Sequence, residues 1–134
     1  MNSKIAKTFE NCKREKRAAL ITYTVAGDNT KSNSLKILNA ISKNADILEL
    51  GFPHNTPIAD GGQIQESSHR ALKNGIKLRD VFKIVKKFKN SNPDKPLILM
   101  GYFNLIYQSG EINFLKICKN SGVDGLIIVD LPYP

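Results

Sequence analysis

Four short apolar runs, separated by longer helical stretches, constrain this chain more than anything else in it. They are Ala19-Leu20-Ile21-Thr22-Tyr23-Thr24-Val25, Ile47-Leu48-Glu49-Leu50, Leu97-Ile98-Leu99-Met100 and Gly125-Leu126-Ile127-Ile128-Val129. Apart from Glu49, each run is apolar or β-branched throughout, not at every second position. That is the pattern of strands buried on both faces. Strands that alternate with helices form a parallel sheet with helical crossovers. Strands are therefore expected at 19–25, 47–50, 97–100 and 125–129.

Between the strands, apolar residues recur at helical spacing. A polar helix is expected over 3–17, with Ile5, Phe9 and Cys12 along one side. Others are expected over 32–43, 63–74 and 78–90, the last with Val81, Phe82, Val85 and Phe88 on one face. A helix over 111–121 would turn Ile112, Leu115 and Cys118 inward. Gly75 and Gly122 each follow a helix and suit its left-handed stop. The 134 residues show no repeat and no linker, so residues 1–134 read as one compact unit. Two architectures fit this order: an open doubly wound sheet and part of a (β/α)8 barrel. Periodicity alone does not choose between them.

Composition removes several classes. With 41% hydrophobic and 24% charged residues, the chain is not of the disordered type. No apolar run approaches the ~18 residues of a membrane span. Residues 1–17 are polar and lysine-rich, without the apolar stretch of a secretory signal. Cys12 and Cys118 are far apart and lack metal-ligand spacing, so free thiols and a cytoplasmic location are expected. The net charge is +8, but the lysines spread along helix faces with no aromatic–basic cluster. No nucleic-acid partner is expected. A basic surface would attract phosphorylated substrates.

The candidate chemistry sits at strand ends. The first strand is followed by Gly27 alone, so there is no dinucleotide fingerprint, and no P-loop occurs either. His54 and His69 have no second histidine at ligand spacing, so no metal site is expected. Glu49 is the odd residue, a carboxylate inside an apolar strand, where burial raises its pKa. The carboxyl end of a parallel strand is also where barrel enzymes keep catalytic groups. The plainer alternative is a salt-bridged structural glutamate. Asp60 follows in Pro57-Ile58-Ala59-Asp60-Gly61-Gly62, on a loop able to fold back over the strand ends. Two carboxylates in different surroundings can divide acid–base and electrostatic work. Alternatively, Asp60 only caps the next helix. Tyr102 and Asp130 end the third and fourth strands, so polar groups converge on one rim.

The run Glu49-Leu50-Gly51-Phe52-Pro53, then Pro57-Ile58-Ala59-Asp60-Gly61 and Ile64-Gln65, closely resembles the signature of tryptophan synthase alpha chains. Ala26-Gly27-Asp28, Met100-Gly101-Tyr102 with Asn104, and Asp130-Leu131-Pro132 fit the same family in the same order. The resemblance runs from about Ala18 to the end and implies a (β/α)8 barrel, with this chain supplying roughly the first four strands. It implies retro-aldol cleavage of indole-3-glycerol phosphate to indole and glyceraldehyde 3-phosphate, a lyase step in tryptophan biosynthesis. Glu49 would be the general acid/base, and Asp60 would hydrogen-bond the indole N–H. Tyr23, Met100 and Tyr102 would line the indole pocket. No cofactor is implied on this chain, since the pyridoxal phosphate belongs to the partner beta chain of an alpha2-beta2 assembly. Thr56, Pro57 and Asn104 would face that partner.

Two positions depart from the family pattern. Asn55-Thr56-Pro57 stands where Ser-Asp-Pro is usual, and that aspartate takes part in signalling to the beta chain. Asn29 replaces the usual proline after Gly27-Asp28. A complete barrel has eight strands and about 250 residues, with phosphate commonly held after strands seven and eight. This chain alone is therefore expected to bind substrate poorly and turn over little. The rival reading is a non-catalytic half-barrel that dimerises or serves as a binding module. Retention of both Glu49 and Asp60 counts against it.

Overall fold

The computed structural model describes residues 3–131; Pro132, part of the last motif above, lies outside them. The order is α1 (Lys4–Arg14), β1 (Ile21–Val25), α2 (Lys31–Ile41), β2 (Ile47–Gly51), α3 (Gly62–Lys73), α4 (Leu78–Ser91), β3 (Leu97–Gly101), α5 (Phe103–Ser109), α6 (Glu111–Ser121) and β4 (Gly125–Ile128). The strands form one parallel sheet in the order β1-β2-β3-β4. This is the α/β architecture of a (β/α)8 barrel, with four strands present.

Register and pleat sort the side chains. Leu48, Leu50, Leu97 and Leu99 are fully buried and form a core with Val81, Val85 and Phe88 of α4. The alternate residues take the opposite, concave face. Pairing aligns Tyr23 with Glu49, Glu49 with Ile98, and Ile98 with Gly125 as one row. The next row toward the carboxyl ends holds Val25, Gly51, Met100 and Ile127.

The amino-terminal ends are tied by charge. Asp46 takes both Arg17 guanidinium nitrogens, at 2.7 and 2.8 Å, and the Leu20 amide at 2.7 Å. Lys89 reaches Asp124 at 2.8 Å, and the same oxygen accepts the Leu97 amide at 3.0 Å. Helix α1 lies across these ends, with Lys4 donating to the Pro93 carbonyl and Ile5 against Gly125.

Several element limits differ from expectation. The first helix spans 4–14 rather than 3–17: Ser3 caps it by accepting the Ala6 amide, and Lys16 takes φ 55°, which no helix continues. The first strand begins at Ile21, not Ala19: the Leu20 amide turns to the Asp46 carboxylate, while its carbonyl accepts the Asp46 and Ile47 amides. Phe9, expected along the packed side of α1, is 47% exposed. In α6 the inward residues are Phe114, Cys118 and Ser121, while Ile112 and Leu115 are exposed. Gly110, at φ 76°, sets that phase. It lets Phe114 pack edge-on against Phe52 at 6.0 Å and Phe82 at 5.5 Å. Helix α5 was not expected at all, and β4 stops at Ile128, one residue early. Gly75 and Gly122 do take the left-handed conformation.

Two predictions follow from this frame. Asp124→Ala takes the carboxylate from the Lys89 ammonium, whose side chain is 7% exposed, and leaves it only the Lys95 carbonyl. Urea unfolding should show a loss of about 3 kcal/mol. The 134-residue chain exposes Leu20 and Ile21 on one edge strand and its flank, and Ile127 and Val129 on the other. Sedimentation should show concentration-dependent association, as unpaired edges promote, and Ile127→Lys should reduce it.

Candidate active site

Glu49 is half-buried on the concave face, two residues before the end of β2. Its carboxyl pKa is raised, and the cause is burial. Tyr23 stands beside it on β1. Burial first, and then the negative charges of Asp60 and Glu49, push the Tyr23 hydroxyl well above its ordinary value. The Tyr23 hydroxyl therefore lies within electrostatic reach of both carboxylates. It rests against Gly51, where any β-carbon would strike it. Gly51 makes room for Tyr23 at the rim.

Asp60 arrives from the loop between β2 and α3. The loop leaves the sheet at Phe52, whose amide donates to the Met100 carbonyl at 2.9 Å. The Phe52 ring covers Gly101 so closely that only glycine fits there. At its far end the loop is tied by Tyr102, which is 4% exposed. The Tyr102 hydroxyl accepts the Ala59 amide at 2.9 Å and donates to Asp60 Oδ2 at 3.2 Å. Asp60 therefore does not cap α3. Gly61 occupies that position, with no side-chain cap bond. Gln65 secures the turn by donating to the Asp60 carbonyl at 2.8 Å.

The sequence-expected residues thus fall into two groups. Tyr23, Glu49, Met100, Asp60 and Tyr102 gather at the carboxyl ends of β1, β2 and β3. Thr56 and Asn104 are exposed and Pro57 is half-buried, all at the same rim. Asp130 has a structural task there: its Oδ1 accepts the Phe103 amide at 2.7 Å, at the start of α5. Sequence reasoning missed Gly51, Gly101 and the Tyr102 hydroxyl as devices that set the geometry. Their signal, a glycine ending each of two adjacent strands, was present but had no partner to explain it. Among the described residues no cluster of His, Cys, Asp and Glu has the form of a metal site. The volume of about 510 Å³ lined by Asn55, Pro57, Gln65, Glu66, His69 and Arg70 lies along α3, away from Glu49.

The model of the family described as "Tryptophan synthase alpha chain" matches residues 9–134. The chain belongs to the tryptophan synthase alpha chain family. It is 70% identical over 126 residues to the alpha chain of Pelagibacter ubique, covering 94% of this chain and 48% of that one. To the Pyrococcus furiosus alpha chain it is 51% identical over 117 residues, covering 87% and 47%. The chain spans about half the length of the curated relatives it matches. Its structure superposes on the tryptophan synthase alpha subunit of Legionella pneumophila with a TM-score of 0.94 at 38% identity, over 97% of this chain and 50% of that one. A tryptophan synthase complex from Pyrococcus furiosus matches with a TM-score of 0.83 at 51% identity, over 86% and 48%. Another structure of that source is described as the a2b2 complex.

The family's proline position after Gly27-Asp28 is filled by Asn29 at φ 67°. Proline is locked near φ −65° and does not fit that backbone. The turn is held instead by Asn74 donating to the Asn29 carbonyl at 2.6 Å. The Arg70–Asp28 pair, at 2.8 and 3.0 Å, braces the same corner.

The raised Glu49 pKa has a stability signature. Between its ordinary value of 4.5 and the higher folded one, the folded chain binds more protons than the unfolded chain. Stability therefore falls as pH rises through that window, and the loss is complete above the folded value. Glu49→Gln removes the titration. Urea midpoints should show the variant gaining on the parent chain from pH 4 to pH 7. A constant difference across that range would remove burial as the cause.

Proposed function

We propose that this chain supplies the carboxylate half of an indole-3-glycerol phosphate lyase site. The observation that carries the reading is the grouping of one half-buried carboxyl of raised pKa, Glu49, with a second carboxylate, Asp60. A tyrosine from a third element fixes the second carboxylate in place. Such unlike carboxylates suit divided roles.

In the proposed cleavage, the Glu49 carboxyl gives a proton to the indole carbon that carries the glycerol chain. The ring becomes a positively charged indolenine, and Asp60 accepts a hydrogen bond from its N–H. The carbon–carbon bond then breaks, its electrons returning to the ring. The glycerol hydroxyl next to that bond becomes the aldehyde, and its proton returns to Glu49. Each turnover leaves Glu49 as it began. Asp60 stabilises charge that exists only after protonation, which makes its help specific to the transition state. Tyr23 and Met100 would wall the flat indole, with Tyr102 behind Asp60.

The phosphate of the substrate falls outside these four strands, where barrels of this type commonly use loops after strands seven and eight. Activity therefore needs the rest of the barrel. The proposed partner is a beta chain carrying pyridoxal phosphate, meeting the rim at Thr56, Pro57 and Asn104. Family membership supports that reading, as does the complex named for the Pyrococcus relative. This chain is proposed to hold no cofactor and to work in the cytoplasm.

The test joins residues 1–134 to the remaining half of the 70% identical Pelagibacter chain. Indole release from indole-3-glycerol phosphate is then followed. Glu49→Gln should cost roughly 10²- to 10⁴-fold in kcat, the usual worth of acid–base catalysis. An unchanged rate in that variant would end the assignment of Glu49. The unjoined 134-residue chain should release little or no indole.

A further inference from the structure

His54 lies in the loop that carries Asp60, and the reaction proposed above gives it no task. It is nevertheless held on two sides. Its ring stacks on Tyr102, with centroids 4.9 Å apart and planes 27° from parallel. Its Nδ1 accepts the Thr56 amide at 3.0 Å. Tyr102 is thus fixed at its ring face by His54 and at its hydroxyl by Ala59 and Asp60.

The loop between Phe52 and Gly61 has no helix or strand of its own. Its internal bonds are short-range, such as Ile58 N–H to the Thr56 carbonyl at 2.9 Å and Asp60 N–H to the Pro57 carbonyl at 3.0 Å. Bonds of this kind shape a turn but do not anchor it to the sheet. Tyr102, at the end of β3, supplies the anchor. Its hydroxyl reaches Asp60 only if its ring keeps one orientation, and a stacked neighbour restricts that orientation. Binding groups that must meet a substrate within about 0.5 Å depend on such support. Tyr102 also occupies Asp60 Oδ2 alone. Among the described residues Oδ1 takes no hydrogen bond, which leaves it for an incoming N–H.

We propose that His54 is a positioning residue: its ring, stacked on Tyr102, holds the tyrosine hydroxyl where that group fixes Asp60 and the Ala59 amide. The catalytic half of this statement rests on Asp60 serving the indole N–H, as argued above. The stacking geometry stands without it.

Three substitutions separate the parts. His54→Phe keeps the ring and loses Nδ1. His54→Asn keeps an acceptor near the Nδ1 position and loses the ring. His54→Ala loses both. The first readout is amide hydrogen exchange at Ala59 in the 134-residue chain, with Leu99 in the core as the control for global unfolding. In the Ala and Asn variants, exchange at Ala59 should rise about three- to tenfold, the scale of one aromatic pair, while Leu99 stays unchanged. Phe should restore slow exchange. The second readout is kinetics in the joined, complete chain. There kcat should fall by a similar factor with KM little changed in the Ala and Asn variants, and recover in Phe. Unchanged Ala59 exchange in His54→Ala would overturn the proposal. So would faster exchange with an unaltered kcat, provided that Asp60→Asn in the same chain loses activity. If Asp60→Asn keeps full activity, the reading of Asp60 is what fails, and the exchange data still decide the His54 anchor on their own.

Discussion

The parallel register of β1, β2 and β3 is the constraint on which the rest of the site depends. It sets Tyr23 beside Glu49 and places Gly51 and Met100 in the next row. A slip of one residue would send Glu49 to the helix face, among Leu97 and Leu99, and bring Leu48 and Leu50 to the concave side. Such a slip buries a carboxylate in an apolar core and exposes two leucines. The register is therefore fixed by the same pattern that places the acid. Gly51 adds a local condition, because the Tyr23 hydroxyl lies where its side chain would be.

The two ends of the sheet are built from different chemistry. At the amino ends, Arg17–Asp46 and Lys89–Asp124 join elements distant in sequence, and each aspartate also binds a backbone amide. Both carboxylates are engaged with cations and amides, and at Asp46 the Arg17 guanidinium and the Leu20 amide hold the carboxyl well below the usual carboxylate range. At the carboxyl ends, Glu49 has no cation beside it; its pKa rises through burial alone. Asp60 has a neutral hydroxyl donor in place of an arginine. Carboxylates that are only partly satisfied keep oxygen atoms free to meet an incoming group. The division matches barrel enzymes in general, where one face stabilises and the other reacts.

Much of this was legible in the sequence. The four strands, their parallel order and the anomaly of Glu49 follow from apolar runs and one misplaced carboxylate. Asp60 was harder. Its position two residues before a helix supports a cap equally well, and only a contact with Tyr102, 42 residues away, decides between the two. Local pattern carries no information about that separation. The phase of α6 held at Cys118 but failed at Ile112 and Leu115 for a related reason. Ile112, Leu115 and Cys118 form a passable helical stripe, yet Phe114 wins the inward face because Phe52 and Phe82 offer it an aromatic seat. Asn29 shows the limit of motif comparison: a departure that looks minor marks a backbone at φ 67° that the family's proline does not fit.

The concave face also determines how strongly Glu49 is tuned. In these four strands it is half-buried. Burial is the sole cause of its raised pKa, so further strands that close over the row of Tyr23, Glu49 and Ile98 would raise it more. The proton affinity of Glu49 is thus set by what covers it and not only by the strand that carries the carboxyl. Asp60 differs. Its orientation is set within this half, by Tyr102 and the loop, and does not wait for closure. The half described here therefore fixes where both carboxylates stand, while the proton affinity of Glu49 depends on what covers it.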